Sequence, residues 1–504
     1  MILTEETVLK RPKFAFVIPR EENCWLDIIP GRLRMRVRGL TMPLGVLYAA
    51  TALRKEGFES AVLDADRRHM EDEAILAWLR EAKPDVVGLS LLLGSHACAY
   101  RVAKAYKKEC PEILILCGGS HATHQAARVM KTYPFVDLIL RGEAEESIVQ
   151  LASALADGKS LEGIPGLCVR RSGGAIVVSD PAPFIEDLDK IPYPDRTLLG
   201  DGFYSLPIEL VGRRRSIVYD PFHKSGLATV ITSRGCPHRC RFCFCGMLNK
   251  GRWRTRSPAN IFGEIESLYR AGYRMFFFPE DNFMIDAARV EAICDSLISR
   301  KLKIQWATEG SVHTATPKLL QKMKAAGCEG IFFGMESACE HVLKYYRKPV
   351  SPEQSVAAAK AAQEAGIGFV VGSFIFGAPV ETEDDYRRTI RFISREVAID
   401  MPMLGILGLT PGDRIWDDLR EEGSISEETE RRLWETTCVA ADFRKDLPPA
   451  ELVRKYIWTG YRHFFLNPFQ LSRALRKSAV NSFHRRATAE LVRCLPGILH
   501  TIAF

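Results

Sequence analysis

Residues 232–243 read Thr-Ser-Arg-Gly-Cys-Pro-His-Arg-Cys-Arg-Phe-Cys, which places Cys236, Cys240 and Cys243 at the spacing CxxxCxxC. Iron-sulfur clusters are held by cysteine thiolates, usually one for each iron. A tight loop that supplies only three thiolates leaves the fourth iron of a 4Fe-4S cluster open to a small molecule. The spacing therefore predicts such a cluster, with the three cysteines as metal ligands and as the residues at which the chemistry starts.

The same cysteines are also compatible with two alternatives to an iron-sulfur cluster. Cys245 adds a fourth thiol to the run, so a zinc knuckle is one alternative, although structural zinc prefers paired hooks from two places in the chain and no second hook follows. Buried free thiols are the second alternative, because cysteine is often a plain small core residue. We do not expect Cys245 to be a ligand.

The length and composition predict an intracellular enzyme of more than one domain. A chain of 504 residues suggests about three units at roughly 150 residues each. The N-terminus lacks the basic start and apolar stretch of a signal peptide, and the 14 cysteines are spread thinly outside the run above, which favours a reducing cytoplasm. No apolar run reaches the roughly 18 residues of a membrane-spanning helix.

The positive charge of the chain belongs to its C-terminus. The net charge is +7, while residues 444–504 hold eleven Lys or Arg against three acids. A solvated surface, an anionic substrate and an acidic membrane surface would each account for this charge. The aromatic residues interleaved with these charges have helical spacing and are more often core than binding platform, although basic amphipathic helices can lie on membranes.

Short apolar runs alternate with helix-length stretches over the first 160 residues. The runs are 14–18, 60–64, 85–91, 113–117 and 136–140, and residues 44–55 have helical periodicity. This alternation predicts a parallel, doubly wound (Rossmann-like) α/β sheet whose ligands bind at the carboxyl ends of the strands. Glycines at those ends let a backbone approach a ligand closely, although a structural turn would also account for a lone Gly-Gly pair.

A junction follows the first domain. Residues 166–171 and 175–179 flank Ser172-Gly-Gly and predict a β-hairpin, and the proline-rich stretch 187–196 predicts a linker. We expect a first domain with its hairpin at 1–185, a linker at 186–225, a core barrel at 226–439 and a helical C-terminal cap at 440–504.

Six strand-helix units are predicted in the second domain. The strand candidates are 228–232, 275–279, 304–307, 330–335, 368–376 and 403–407, separated by amphipathic stretches such as 317–326 and 382–395. Six units describe a partial (β/α)6 barrel with its chemistry at the strand carboxyl ends, where the cysteine loop also falls. Residues 410–423 and 427–433 should continue as the closing turn and helices, and residues 440–504 should cap the open side and recognise substrate.

The CxxxCxxC run follows a predicted strand and has Phe242 directly before its third cysteine. In these features it resembles the radical S-adenosylmethionine (SAM) superfamily. In that family the open iron binds the amino and carboxylate groups of SAM, and an electron from the cluster splits SAM into methionine and a 5'-deoxyadenosyl radical. Residues 43–57, 118–123 and 141–145, in that order ahead of the cysteines, are similar to the cobalamin-binding domain of the cobalamin-dependent members. That likeness covers residues 10–160 approximately and implies a corrinoid lying across the strand ends.

The resemblance implies site residues as well. Residues 279–286 are similar to the acidic segment that accepts the methionyl ammonium of SAM, residues 334–338 match Gly-x-Glu-Ser, and residues 373–381 match the segment along the adenine. The implied SAM contacts are Phe242, Glu280, Asp281, Glu336, Ser373 and Gly377. The implied cobalamin contacts are Leu44, Gly45, Ser90, Gly94, Ser95, Gly118, Gly119, His121, Gly142 and Glu143.

The chain departs from the family at two places. Residues 308–310 stand where the family often has an arginine, so Ser311 or His313 is expected to take its place against the SAM carboxylate. Residues 19–38 hold no histidine, so the lower face of the cobalt is not expected to be ligated by histidine. A degenerate domain that has lost cobalamin is the alternative, because fold likeness fixes ligands only loosely.

The resemblance implies a cobalamin-dependent radical SAM enzyme that abstracts hydrogen from an unactivated carbon, most commonly for methyl transfer. Oxidation, cyclisation or rearrangement without methyl transfer, as in the porphyrin cyclases, is the alternative within the class, and a zinc-bound sensor module is the alternative outside it. We expect an anionic or hydrophobic small-molecule substrate, a flavodoxin- or ferredoxin-type electron donor, no nucleic acid, and contact of the basic C-terminal region with a membrane surface.

Overall fold

The computed structural model describes residues 11–22, 42–92, 94–200, 227–409, 414–428 and 449–489. Within these ranges the chain divides into two compact units, with residues 11–200 in the first and residues 227–489 in the second. Most of the expected linker, residues 201–225, lies outside the described residues, and the expected domain boundaries stay a prediction.

The first unit alternates strands and helices as the sequence predicts. Its elements are β1 (Phe14–Ile18), α1 (Leu44–Lys55), β2 (Ser60–Asp64), α2 (Asp72–Ala82), β3 (Val86–Ser90), α3 (His96–Glu109), β4 (Leu114–Gly118), α4 (Ser120–Thr132), β5 (Leu138–Leu140), α5 (Glu145–Asp157), β6 (Leu167–Arg170) and β7 (Ile176–Val177). The strand order is β2-β1-β3-β4-β5-β6-β7, and β1 to β5 are parallel. The chain reverses direction across the sheet between β1 and β3, the position at which doubly wound sheets bind ligands.

The hairpin of the first unit joins the main sheet, which the sequence does not predict. β6 and β7 pair antiparallel around the glycine turn, as expected, and β6 also pairs antiparallel with β5, so the hairpin extends the sheet. Apolar residues such as Val87, Ile115 and Ile139 are fully buried in the core of this unit.

The second unit contains the cysteine loop and the predicted barrel strands. Its elements are β8 (Leu227–Thr229), β9 (Ser233–Gly235), α6 (Phe244–Leu248), β10 (Trp253–Thr255), α7 (Pro258–Arg270), β11 (Met275–Phe278), α8 (Ala287–Ser299), β12 (Gln305–Gly310), α9 (Pro317–Ala325), β13 (Cys328–Glu336), α10 (Glu340–Tyr345), α11 (Pro352–Glu364), β14 (Phe369–Phe376), α12 (Glu383–Arg395), β15 (Met401–Ile406), α13 (Arg414–Glu421), α14 (Ala450–Phe465) and α15 (Pro468–Val480).

The six predicted barrel strands form one sheet in the order β15-β14-β13-β12-β11-β8, and every neighbouring pair is parallel. The α/β fold class predicted from the sequence is therefore confirmed. Large side chains such as Trp306, Phe333 and Phe374 fill the core between the sheet and its helices. Because each crossover helix returns the chain to start a parallel strand, the carboxyl ends of all six strands meet at one edge.

Helices α14 and α15 follow the barrel. Val453, Ile457 and Phe464 of α14 are buried in the barrel core, and the backbone N–H of Leu404 in β15 donates to the hydroxyl of Tyr461 at 3.1 Å. The predicted helices at 440–448 and 490–504 lie outside the described residues, as does most of 427–433. Among the described residues, none of the helices has both the length and the apolar character needed to cross a membrane.

Candidate active site

A short hairpin frames the cysteine loop. β9, directly before Cys236, pairs antiparallel with β10, and Gly235 at the end of β9 has φ +89°. A Cβ atom on Gly235 would lie 2.1 Å from the carbonyl oxygen of Arg252, so the backbone leaves no room for a side chain. Glycine is required here because it tolerates both the close approach and the positive φ.

Glu280, which follows β11, holds the start of the cysteine loop by hydrogen bonds. Its buried carboxylate accepts hydrogen bonds from the backbone N–H groups of Thr232 and Ser233 and from the Ser233 hydroxyl, and Arg289 lies 3.6 Å away as its ion-pair partner. The sequence predicts Glu280 as a SAM contact. In the structure its oxygens are occupied by the polypeptide, so we interpret Glu280 as a residue that positions the cysteine loop.

The three cysteines of the motif share a common cation, and the fourth cysteine differs from them. Burial raises the pKa of the Cys236, Cys240 and Cys243 thiols, that of Cys240 to about 11, while the Lys348 ammonium opposes this shift at all three. The Cys245 thiol instead donates to the carboxylate of Asp281, and burial together with that negative charge raises its pKa. The three cysteines of the motif therefore share one electrostatic partner, and their role as metal ligands stays a prediction.

Lys348 belongs to a buried polar cluster at the ends of β13 and β14. Its ammonium donates to Glu336 Oε1 at 2.7 Å, and the hydroxyl of Ser373 donates to Glu336 Oε2 at 3.3 Å. Glu336 adopts φ +63°, which non-glycine residues rarely adopt, and a Cβ on Gly334 would force the ends of the Glu336 and Lys348 side chains to shift. Strained backbone of this kind persists where the surrounding structure holds a side chain in one direction.

Acidic and imidazole groups lie at the ends of β11 and β12. Asp281 and Glu309 are exposed to solvent, yet desolvation by the surrounding protein raises the pKa of both carboxyl groups, that of Glu309 to about 7. Ser311 Oγ lies 2.6 Å from His313 Nδ1, and the His313 ring is in edge contact with His238 of the cysteine loop, with ring centroids 5.1 Å apart.

Asn282 is the site residue that the sequence did not single out. Its side chain is 2% exposed, and its amide nitrogen and oxygen are both buried with no hydrogen-bond partner in the described part of the chain. Buried amides are almost always hydrogen-bonded, so an unpaired one in the loop after β11, two residues from Glu280, is a candidate contact for a bound ligand or an ordered water. The signal lay in residues 279–286, but a neutral amide directly after two acids carries no recognisable pattern.

Phe242 and Gly377, both expected to contact SAM, each interact with another residue of the protein. Phe242 packs edge-to-face on Tyr346 with ring centroids 4.9 Å apart. The N–H of Gly377 donates to Glu381 Oε2 at 2.7 Å, and burial raises the pKa of the Glu381 carboxyl to about 8. Both contacts shape the turns at the strand ends, and a role of these two residues in binding SAM stays a prediction.

In the first unit, most of the residues expected to contact cobalamin lie together at the ends of β3 and β4. Ser90 lies opposite Gly118 in the strand register, and Gly119 has φ +93° with its Cα so close to Leu91 that a Cβ would lie 2.7 Å from the Leu91 carbonyl oxygen. His121 is stacked on His96 with centroids 4.8 Å apart, and burial lowers its pKa to about 3, which keeps it neutral. These contacts gather Ser90, Gly94, Ser95, Gly118, Gly119 and His121 at one edge.

The remaining cobalamin candidates differ in what surrounds them. Leu44 is buried, whereas a Cβ on Gly45 would meet no atom within 4 Å. The N–H of Gly142 donates to the Thr123 hydroxyl and Glu143 accepts from the backbone N–H of Ile185, so both tie the loop after β5 to the rest of the unit.

Family models match both units of the chain. A model of the radical SAM superfamily matches residues 230–393, and a model of the B12 binding domain matches residues 33–152. An uncharacterized methyltransferase of Pyrococcus horikoshii is 31% identical over 386 residues, which cover 76% of this chain and 79% of that protein. The chain belongs to the B12-binding radical SAM family. A second relative is the anaerobic magnesium-protoporphyrin IX monomethyl ester cyclase of Rubrivivax gelatinosus. It is 26% identical to this chain over 454 residues, which cover 88% of this chain and 78% of the cyclase.

Solved structures share the fold of this radical SAM protein. The radical SAM methyltransferase TsrM from Kitasatospora setae, with cobalamin and a 4Fe-4S cluster bound, gives a TM-score of 0.65 at 19% identity over 83% of this chain and 76% of TsrM. The cobalamin-dependent radical SAM enzyme OxsB, with aqua-cobalamin and SAM bound, gives a TM-score of 0.61 at 20% identity over 88% of this chain and 57% of OxsB. At these identities the likeness is one of fold.

Proposed function

We propose that this family member uses a 4Fe-4S cluster, SAM and cobalamin to transfer a methyl group to an unactivated carbon of a small molecule, through hydrogen abstraction by a 5'-deoxyadenosyl radical. The observation that carries the proposal is the division of the four thiols: the Lys348 ammonium favours the thiolate form of Cys236, Cys240 and Cys243, while the Cys245 thiol donates a hydrogen bond to Asp281. Three thiols and a fourth that is otherwise engaged fit a cluster with one open iron.

The residues at the strand ends fit the three groups. The cysteines would hold the iron, and the unpaired amide of Asn282, with Asp281 and the Ser311–His313 pair, offers donors and acceptors to the methionyl part of SAM. In the first unit the buried hydroxyl of Tyr100, which has no hydrogen-bond partner among the described residues, and the open space beside Gly45 are compatible with a bound corrinoid. When bound, these groups supply one-electron chemistry and methyl transfer, and the protein supplies binding and orientation.

The protein's own contribution is to fix the loop and to balance its charge. Glu280 and Arg289 hold the chain before Cys236, and the Glu336–Lys348 pair places one cation against the thiols. Thiolates on iron carry negative charge, so a buried ammonium beside them lowers the cost of assembling the site. We further propose that a flavodoxin- or ferredoxin-type protein supplies the electron, that the substrate is anionic or hydrophobic, and that nucleic acid is not a partner.

A second candidate function is oxidation or cyclisation without methyl transfer. It is supported by the likeness to the Rubrivivax cyclase, which extends over more of this chain than the likeness to the Pyrococcus methyltransferase. Product analysis separates the two: methyl transfer adds a methyl group to the substrate and consumes SAM also as a methyl donor, whereas oxidation adds none.

Anaerobic reconstitution tests the proposal. The protein is purified without oxygen, supplied with iron, sulfide and cobalamin, reduced, and assayed for iron, zinc and 5'-deoxyadenosine. Alanine at Cys236, Cys240 or Cys243 should abolish 5'-deoxyadenosine formation and most iron retention, while the matched control Cys245→Ala should keep both. Equal loss in all four variants, or zinc in place of iron, would overturn the proposal, and iron without corrinoid absorbance bands would remove the cobalamin part alone.

A further inference from the structure

A groove of about 800 Å³ opens on the second unit, between the last turn of α12 and the junction of α14 with α15. Its lining includes three basic side chains, Arg395, Arg462 and His463, and two apolar ones, Leu466 and Phe469. No group of the proposed chemistry is among these residues, because the cysteine loop and its partners come from the strand carboxyl ends. The groove is therefore separate from the candidate active site.

The groove is positively charged without compensation. Arg395 and Arg462 have no ion-pair partner among the described residues, whereas Arg388, on the same helix as Arg395, is paired with Glu396 at 2.8 Å. Residues 451–489 hold eight Lys or Arg and one acid, Glu451. Clustered cations raise the local concentration of anions and are typical of a surface that binds them.

Exposed apolar side chains are concentrated in the same part of the sequence, and two of them, Leu466 and Phe469, line the groove itself. Among the described residues, five of the ten large apolar side chains that are exposed fall between residues 466 and 480: Leu466, Phe469, Leu471, Leu475 and Val480. Leu475 is 72% exposed and Val480 is 87% exposed. Such a concentration differs from the usual pattern, in which exposed large apolar residues are scattered singly over the surface.

We propose that this C-terminal surface, made of the five apolar residues with Arg395, Arg462 and His463 of the groove, docks on the face of an anionic phospholipid bilayer. The arginines of the groove bind lipid phosphates, and the apolar side chains of α15 enter the boundary between headgroups and acyl chains. Basic helices with exposed large apolar residues bind in this way. The inference does not depend on the reaction that the cysteine site catalyses.

Two other occupants fit the surface less well. A second copy of the chain would bring the same uncompensated cations face to face in a two-fold contact, and like charges facing each other cost affinity. An acidic protein surface would form ion pairs with the arginines, but it would not bury exposed apolar side chains such as Leu475 and Val480. An anionic bilayer satisfies the charges and the apolar surface together.

Vesicle binding by the full chain tests the proposal. Sedimentation with phosphatidylglycerol vesicles should bind the protein at low salt and release it as salt rises, while phosphatidylcholine vesicles should bind it much more weakly. The pair Arg395→Gln and Arg462→Gln should weaken binding about 25-fold, taking about fivefold for each positive charge near the surface. The pair Leu475→Asn and Val480→Asn should weaken it about tenfold or more through lost apolar burial.

Matched changes elsewhere on the second unit serve as controls. Lys318→Gln removes an exposed charge from α9, and Ile298→Asn removes a 42% exposed apolar side chain from α8. Both controls should bind vesicles as the unaltered protein does. Equal binding to both lipids, no binding to phosphatidylglycerol, or equal loss in the controls would overturn the proposal. So would a dimer, seen by size exclusion, that Leu475→Asn dissociates while vesicles bind no protein.

Discussion

Two carboxylates at the strand ends, Glu280 and Glu336, are buried, and each depends on a cation that lies in a different stretch of sequence. For Glu336 the cation is Lys348, which is itself mostly buried and held at 2.7 Å. Removing one member of a buried ion pair leaves the other charge in a poor solvent without a partner, which costs more than the pair contributes.

Lys348→Ala should therefore lower the free energy of unfolding by about 3 kcal/mol, because it leaves the Glu336 carboxylate uncompensated. The double variant Lys348→Met with Glu336→Gln should recover a large part of this loss. Urea unfolding of the metal-free protein measures both, with the exposed Lys318→Ala as the control that should change stability little. A double variant no more stable than Lys348→Ala would contradict this interpretation of the pair.

Asn282→Ala should separate ligand binding from stability. The amide has no partner in the described chain, so its removal should leave the melting temperature of the metal-free protein unchanged or higher. If SAM supplies the missing partners, the reconstituted variant should bind SAM about tenfold more weakly, as expected for the loss of one or two hydrogen bonds. Calorimetric titration with SAM and thermal melting provide the two readouts. A lower melting temperature with unchanged SAM affinity would assign Asn282 a structural role instead.

These residues also show which parts of the site the sequence could predict. The thiols were recognisable because metal ligation fixes their spacing, and Glu336 because residues 334–338 match the Gly-x-Glu-Ser segment of the family that the sequence resembles. Lys348 could not be predicted, since it lies twelve residues after Glu336 and reaches it only through the fold of β13 and α10. Glu280 was placed correctly at a strand end, but only the structure shows that backbone N–H groups of the loop occupy its oxygens.

At the scale of elements, the hairpin β9–β10 determines the shape of the cysteine loop, and Gly235 provides the test. Gly235→Ala should displace the hairpin and reduce iron retention severely, because the new Cβ would overlap the carbonyl of Arg252. Gly272→Ala is the matched control: Gly272 has φ +99°, but a Cβ there would meet nothing within 4 Å. Gly272→Ala should lower the free energy of unfolding by about 1–2 kcal/mol, because alanine disfavours a positive φ, and the variant should retain its iron. The measurement is the iron content per chain of the two variants after reconstitution. A similar loss of iron in both would show that the positive φ, and not the contact with Arg252, is what requires glycine.

The elements themselves were largely predictable from the sequence, and the exceptions have physical reasons. The barrel strands stand out because strands buried on both faces read as continuous apolar runs, as in Phe276 to Phe278. The pairing of β6 with β5 was not predicted, because a hairpin sequence specifies its own turn but not the sheet edge that it joins. Such pairings depend on which edge is left uncovered in the folded unit.

The attachment of α15 rests on Asp400, a buried carboxylate just before β15. Lys477 of α15 donates to it at 2.6 Å, His484 lies 3.4 Å away, and the backbone N–H of Val370 donates to it at 2.8 Å. Burial alone would raise the pKa of Asp400, but Lys477 and His484 lower it to about 2. Asp400 therefore links the C-terminal helices to two strands of the barrel.

The lowered pKa determines how stability should depend on pH. Because the carboxyl pKa is lower in the folded protein than in the unfolded chain, its contribution of about 2 kcal/mol is complete above pH ~4 and is lost as pH falls toward ~2. Asp400→Asn should be less stable near neutral pH by a similar amount and should lose less stability between those two pH values. Acid unfolding curves of both proteins test this, and parallel curves would show that Asp400 does not titrate between them.

At the scale of the whole molecule, the chain joins two units that each have their own sheet and buried core. The expected cobalamin contacts all come from the first unit, and the expected cluster and SAM contacts all come from the second. Units with separate cores can in principle fold separately. It follows that damage to one unit should leave the cofactor of the other in place, although the reaction needs both.

Two variants test this independence in opposite directions. Gly119→Val should abolish cobalamin retention, because its side chain would strike the Leu91 backbone at φ +93°, while iron content stays near that of the unaltered protein. Gly174→Val, with positive φ but open space, is the control that should keep both cofactors. The variant with alanine at Cys236, Cys240 and Cys243 should lose iron yet keep the corrinoid absorbance. Neither altered protein should form methylated product. Loss of both cofactors in either variant would show that the two units assemble only as one, since a cofactor bound wholly by the intact unit would have been retained.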